Sequence, residues 1–316
     1  MGKIFSFVEK SRPPYYRGKF YIRIMFKSHI KQKSLSFRQK EKSKCPVCNF
    51  EWNREQLLSG GGRLIAGKLM PDLRRTYEIN KKFGKVYPMA YVIYTCPQCL
   101  YSAFPNDFSM LLPAEIDALK QRAMKRKSGI ARIVGPIDFN EDRNLVLGAA
   151  SYVLAIDSYQ LRGKQVAPTP KKGICSIRAG WLFEDMNAEF PNMNFDKLSL
   201  FFYLKAINFY QETLEIMSTG REPHDQFVNF LGPDTDNNWG FDGVIYLNGY
   251  LTKKYIGALA DSTEKKIELL DRSKRHLGKL YGMGKASKSK PSVLIDLSKD
   301  LYDQISDAME KLKGAS

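Results

Sequence analysis

Four of the chain's five cysteines fall in two short pairs of one form, Cys45-Pro46-Val47-Cys48 and Cys96-Pro97-Gln98-Cys99. Four thiolates are the donor set of a closed tetrahedral zinc site, and two residues between paired cysteines let both sulfurs of a pair face one ion. Proline in second place favours a tight turn, and an aromatic follows each pair at the same offset, Phe50 and Tyr101. The pairs read as halves of one zinc ribbon holding one structural zinc per chain through Cys45, Cys48, Cys96 and Cys99. A redox dithiol is the competing chemistry, but one pair suffices for it, in a strand-to-helix setting. The residue after such a pair often takes a positive φ. Asn49 tolerates that and Leu100 does not readily do so, so the second turn is expected to be strained or differently shaped.

Other residues of chemical interest are scattered. The three histidines, His29, His224 and His276, are far apart, and none lies in a metalloprotease or nucleophile motif. Glu184, Asp185 and Glu189 read as a solvated helix face, and Cys175 reads as a core residue. Gly60-Gly61-Gly62 lacks the Lys-Ser/Thr pair of a phosphate loop and reads as a flexible turn. Arg63, Arg74 and Arg75 lie between the cysteine pairs and are candidate contacts for an anion or a partner. Ion pairs with Asp72 and Glu78 are the structural alternative. No set of residues combines nucleophile, base and stabiliser, which leaves the chain an uncertain enzyme and more readily a non-enzymatic protein.

The elements that position these residues divide the chain into a basic arm (1–44), a zinc-ribbon domain with a long insertion (45–112), a helical linker (113–139) and a helical domain (140–316). In the arm, Phe20 to Phe26 alternates weakly as a strand. In the ribbon, Asn53 to Ser59 reads as a short helix, and Val86 to Tyr94 as a strand leading into Cys96. Ala114 to Lys127 reads as one helix with a basic end, its cations Lys120, Arg122, Lys125, Arg126 and Lys127 complementing the helix dipole. Amphipathic helices follow. One carries Leu145, Ala149, Tyr152, Ile156 and Tyr159; the next run from about Ile174 to Glu189 and from Phe195 to Thr219. Three more carry Val244 to Ala258, Ile267 to Tyr281, and Leu294 to Leu312. Successive helices of this length suggest antiparallel hairpins of the tetratricopeptide kind, although no repeat of 34 residues aligns. The fold class is thus α+β: a small β zinc ribbon followed by a mostly α, tetratricopeptide-like domain.

The 316 residues suffice for a sizeable core, and 43% hydrophobic with 26% charged residues is ordinary globular composition. No stretch reaches the ~20 apolar residues of a membrane-spanning helix. The N-terminus lacks the form of a secretion signal, and metal-type cysteines suit a reducing cytoplasm. Net charge is +17, and residues 1–44 hold thirteen Lys or Arg against Glu9 and Glu41, which leaves +11. Such an arm is either a solvated extension that docks a few aromatics or a binder of nucleic acid, with Tyr15, Tyr16, Phe20 and Tyr21 available for stacking. A membrane-surface helix is disfavoured by Pro13, Pro14 and Gly18.

Several stretches resemble a bacterial family, domain-of-unknown-function family 2225. They are Lys44 to Phe50 with the first pair, Gly62 to Gly67 (Gly-Arg-Leu-Ile-Ala-Gly), Asp72-Leu73-Arg74-Arg75, Cys96 to Phe104 with the second pair, and Arg178 to Phe183. The details resemble its spirochaete branch most, over about residues 42–312. The resemblance implies a zinc ribbon joined to tetratricopeptide-like helices, with no reaction attached. The expected function is that of a cytoplasmic zinc-binding adaptor whose helical groove takes a protein partner. Nucleic-acid binding through the arm and ribbon is the alternative.

Overall fold

The computed structural model describes residues 35–226, 232, 234, 239–281 and 291–314. The strand expected at Phe20 to Phe26 and most of the basic arm lie outside them. Two compact units emerge, neither a continuous stretch of chain. The first takes in the chain up to Lys68 with Thr76–Gly163 and Arg178–Phe202, and the second Leu69–Arg75, Lys164–Ile177 and the chain from Tyr203. No helix among the described residues is long and apolar enough to cross a membrane.

The first unit opens with an antiparallel hairpin, β1 (Ser36–Lys44) against β2 (Glu51–Leu57), in register from Ser36 opposite Leu57 to Lys44 opposite Glu51. An irregularity between Arg38 and Lys42 frees two carbonyls, and the Asn53 amide donates to both, Gln39 O at 2.9 Å and Lys40 O at 3.2 Å. The helix expected over Asn53 to Ser59 is therefore replaced by strand. Arg54, Glu55, Gln56 and Leu57 are good helix formers, but pairing with β1 and burial of Trp52 outweigh that local preference. Glu55 also accepts the Arg143 N–H at 2.7 Å, tying the hairpin to the helices that follow.

A second hairpin joins β3 (Ala66–Leu69) and β4 (Arg75–Tyr77). Gly67 is required there, because a Cβ would lie 2.6 Å from Thr76 Oγ1 and 3.2 Å from its carbonyl. The long strand expected over Val86 to Tyr94 is also corrected. Pro88–Tyr91 is a 3₁₀ turn, and only β5 (Tyr94–Thr95) pairs, with β6 (Ser102–Ala103). Pro88 brings a fixed φ and no N–H donor. The turn instead packs Ala90 onto Gly148, where a Cβ would stand 2.7 Å from the alanine methyl, and Tyr152 donates to Met89 O at 3.0 Å.

The helices begin with α1 (Pro105–Phe108), α2 (Pro113–Gln121) and α3 (Ala123–Val134). The single helix expected over Ala114 to Lys127 is two helices that meet at Arg122, and α3 runs on to Val134. Next come α4 (Leu145–Tyr159), α5 (Pro168–Glu189) and α6 (Phe195–Thr219). Asn144 caps α4 by accepting the Leu147 N–H at 2.9 Å. The core of this unit includes Tyr101, Phe108, Tyr152, Tyr159, Trp181 and Phe183, with Phe183 stacked on Phe202 at 5.4 Å.

In the second unit α7 (Gly240–Lys254), α9 (Thr263–Tyr281) and α10 (Ser292–Gly314) pack on one another through Leu247, Leu251, Leu277, Leu301 and Ile305. The short α8 (Ile256–Leu259) follows a break at Tyr255, within the helix expected over Val244 to Ala258. Gly249 lets α7 approach Leu277, which a Cβ would meet at 3.1 Å. Residues 69–75 belong to this unit, with Leu73 fully buried. Tyr246 donates to Pro71 O at 2.7 Å, and the Arg75 N–H donates to the Asp234 carboxylate.

Candidate metal centre

Both cysteine pairs sit in hairpin turns, the first joining β1 to β2 and the second joining β5 to β6. The two turns share a backbone plan. In the first, the Cys45 N–H donates to Phe50 O and the Asn49 N–H to Cys45 O, both at 2.9 Å; in the second, the Cys96 N–H donates to Tyr101 O and the Leu100 N–H to Cys96 O, again at 2.9 Å. The residue after each pair is left-handed, Asn49 at φ 61° and Leu100 at φ 58°. The expected difficulty at Leu100 thus takes the form of strain rather than a different turn. A leucine there costs about 1–2 kcal/mol, and its burial offsets that cost.

The turns bring all four sulfurs within 4.8 Å of one another. Across the pairs, Cys45 Sγ lies 3.7 Å from Cys99 Sγ and Cys48 Sγ 3.6 Å from Cys96 Sγ. A tetrahedron with metal–sulfur bonds of about 2.3 Å has sulfur–sulfur edges of roughly 3.8 Å, so spacing and donor type fit a zinc-sized ion. Cys45, Cys96 and Cys99 are buried and Cys48 is partly exposed. Such a cluster holds four protons poorly and four charges worse. Hydrogen bonds from Cys45 and Cys96 pull Cys99 well below the usual thiol range, to about 2, while hydrogen bonds with Cys96 and Cys99, together with burial, drive Cys45 far above it. A bound dication would let all four ionise.

Around the second turn the protein supplies polar support. Arg126 of α3, only 2% exposed, donates to Cys99 O at 3.1 and 3.4 Å and to Leu119 O at 2.9 Å. Burial lowers its pKa, and the neighbouring Cys99 and Asp157 hold it up. Tyr101, fully buried, donates to Phe108 O at 3.2 Å and accepts from Arg162 at 3.1 Å; Arg162 in turn meets Glu115 at 3.2 Å. The sequence assigned Arg126 to a basic helix end. It lies instead on the apolar stripe of α3 with Ile130, Ile133 and Val134, and a single cation at that spacing is the signal that marks it.

The three candidate arginines of the insertion fall in different units, Arg63 in the first and Arg74 and Arg75 in the second. The Arg63 guanidinium donates to the Gly60 carbonyl. The Arg74 N–H donates to Asp72 at 3.3 Å in the turn closed by Met70 N–H to Arg74 O. Cys175 is buried in α5 and is not a member of the cysteine cluster. Glu189 accepts from Tyr87 and meets Lys85 at 3.6 Å.

A family described as "uncharacterized protein conserved in bacteria" (DUF2225) matches residues 39–305. An "uncharacterized protein" of Borreliella burgdorferi is 41% identical over 281 residues, which cover 89% of this chain and 100% of that protein. No solved structure matches.

Proposed function

The chain belongs to this bacterial family, as its cysteine turns and their flanking motifs led us to expect, and we propose that it is a zinc-binding, non-enzymatic cytoplasmic adaptor. The observation that carries this reading is the closed donor set, four sulfurs at tetrahedral spacing in two matched turns. Four protein ligands saturate a structural zinc ion and leave no position for a substrate or an activated water. The ion's task is then mechanical: it clamps the β1–β2 turn to the β5–β6 turn and closes the 47-residue segment from Asn49 to Thr95 into a loop. The helices, read as a tetratricopeptide-like array, offer the surface for a protein partner. Protein expressed with zinc should carry about one zinc per chain. Metal-free protein of full stability and unaltered fold would defeat the reading.

A second reading, nucleic-acid binding, is favoured by one feature of β1. Arg38, Lys40, Lys42 and Lys44 are all exposed along it, at the end of an arm of net charge +11. Phosphate-dominated binding weakens steeply with salt. Retention on single-stranded RNA or DNA at low salt, lost at moderate salt and lost on deleting residues 1–40, would support it. Affinity capture from nuclease-treated and untreated lysates separates the two readings by the partner each recovers.

A further inference from the structure

A tetrahedral thiolate site loaded with a dication holds two negative charges in excess, and burying them without compensation is costly. Backbone N–H groups at the turns can offset part of this. Among the described residues, the buried cation beside the cluster is Arg126, at 2% exposure. Its Nε and one terminal nitrogen are used on the carbonyls of Cys99 and Leu119, which fixes the guanidinium against the residue that bears a candidate ligand. Its other terminal nitrogen, Nη1, is buried and has no hydrogen-bond partner among the protein groups.

Behind Arg126 stands a second charge pair. Asp157 of α4, with its side chain 4% exposed, is held by Arg122 at 2.8 and 3.0 Å, and its other oxygen, Oδ2, is buried without a partner. Asp157 also stabilises the charged form of Arg126. Beyond Arg126, Asp157 of α4 and Arg122 thus add a further charge pair.

We propose that Arg126 is the counter-ion of the four-cysteine metal site, its buried guanidinium held on the Cys99 carbonyl so that one positive charge stands beside the cluster and the loaded centre carries one net negative charge in place of two. This rests on the zinc reading above. It makes Arg126 a positioning residue for the centre, acting on its charge rather than binding the ion.

The test is cobalt(II) and zinc(II) binding by the full chain and two variants of similar size. Arg126→Gln keeps a carbonyl-directed donor and loses the charge; Arg126→Lys keeps the charge and loses the planar fork. The native chain should bind about one cobalt with the bands of a tetrahedral thiolate site. Arg126→Gln should lose roughly 10–100-fold in metal affinity, with its thiolate-to-cobalt charge-transfer band moved to lower energy. Arg126→Lys should stay within about threefold of native, with the band in place. Equal losses in both variants with an unmoved band would mean a merely structural arginine and overturn the proposal, as would native affinity in Arg126→Gln. Should Arg126→Gln fail to fold, the lysine variant decides: near-native affinity and band support the counter-ion role, and a loss above tenfold overturns it. A native chain with no thiolate–cobalt bands would instead overturn the metal site itself, a result distinct from any difference among the Arg126 variants.

Discussion

The two cysteine turns have one backbone plan and very different surroundings. Around the first, Asn49 is exposed, Phe50 and Cys48 are partly exposed, and the turn is held by the strands of its own hairpin. Around the second, Leu100 and Tyr101 are buried, Arg126 grips the Cys99 carbonyl, and the Tyr101 hydroxyl sits in a network with Arg162 and Phe108. Equal hydrogen-bond geometry therefore does not mean equal stability. The second turn is held by the folded body through Arg126 and Tyr101, whereas the first buries Cys45 and Val47 but leaves Cys48, Asn49 and Phe50 at least partly exposed, and it gains most from a shared ion.

The largest expected effect breaks the site from its buried side. Cys99→Ser should abolish stoichiometric zinc and lower the melting temperature by well over the ~2 °C that 1 kcal/mol represents in a chain of this size. Cys48→Ser, at the exposed corner where water can complete the shell, should bind zinc weakly but measurably. Metal analysis with thermal melts checks both, and equal losses would erase the asymmetry between the turns.

Removal of metal by a chelator sharpens the comparison within one molecule. Amide protection at 45–50 should fall first, while 96–101 keeps most of its own, as read by hydrogen exchange. Simultaneous loss in both segments would show that the second turn also depends on the ion. Next in size, Tyr101→Phe leaves Arg162 short of one buried acceptor. It should cost about 1–3 kcal/mol in urea unfolding with zinc content unchanged.

The smallest effects concern the left-handed residues. Asn49→Gly should change stability by less than about 0.5 kcal/mol, since Asn already tolerates the conformation and the side chain is exposed. Leu100→Gly relieves roughly 1 kcal/mol of strain but gives up about 2 kcal/mol of burial, for a net loss near 1 kcal/mol. A stabilised Leu100→Gly variant would mean that the buried leucine contributes less than its surroundings imply.

Pairing and spacing alone pointed to the four cysteines that the fold brings together, because two residues between cysteines set the bite of each pair whatever the rest of the chain does. The helices over Leu145–Tyr159 and Phe195–Thr219 were equally legible, since a sustained 3.6-residue period is a local property. The family was legible from the same turns and their flanking motifs. Only the tertiary structure decided the state of segments whose local preferences conflict with their neighbours. Asn53 to Ser59 lost its helical tendency to pairing with β1, and Val86 to Tyr94 folded into a turn because Gly148 admits Ala90 closely. It alone also turned Arg126 from one of five cations in a basic stretch into a buried neighbour of Cys99. Charge at a given residue is written in its side chain, but whether water or a buried carbonyl faces it depends on how distant segments pack.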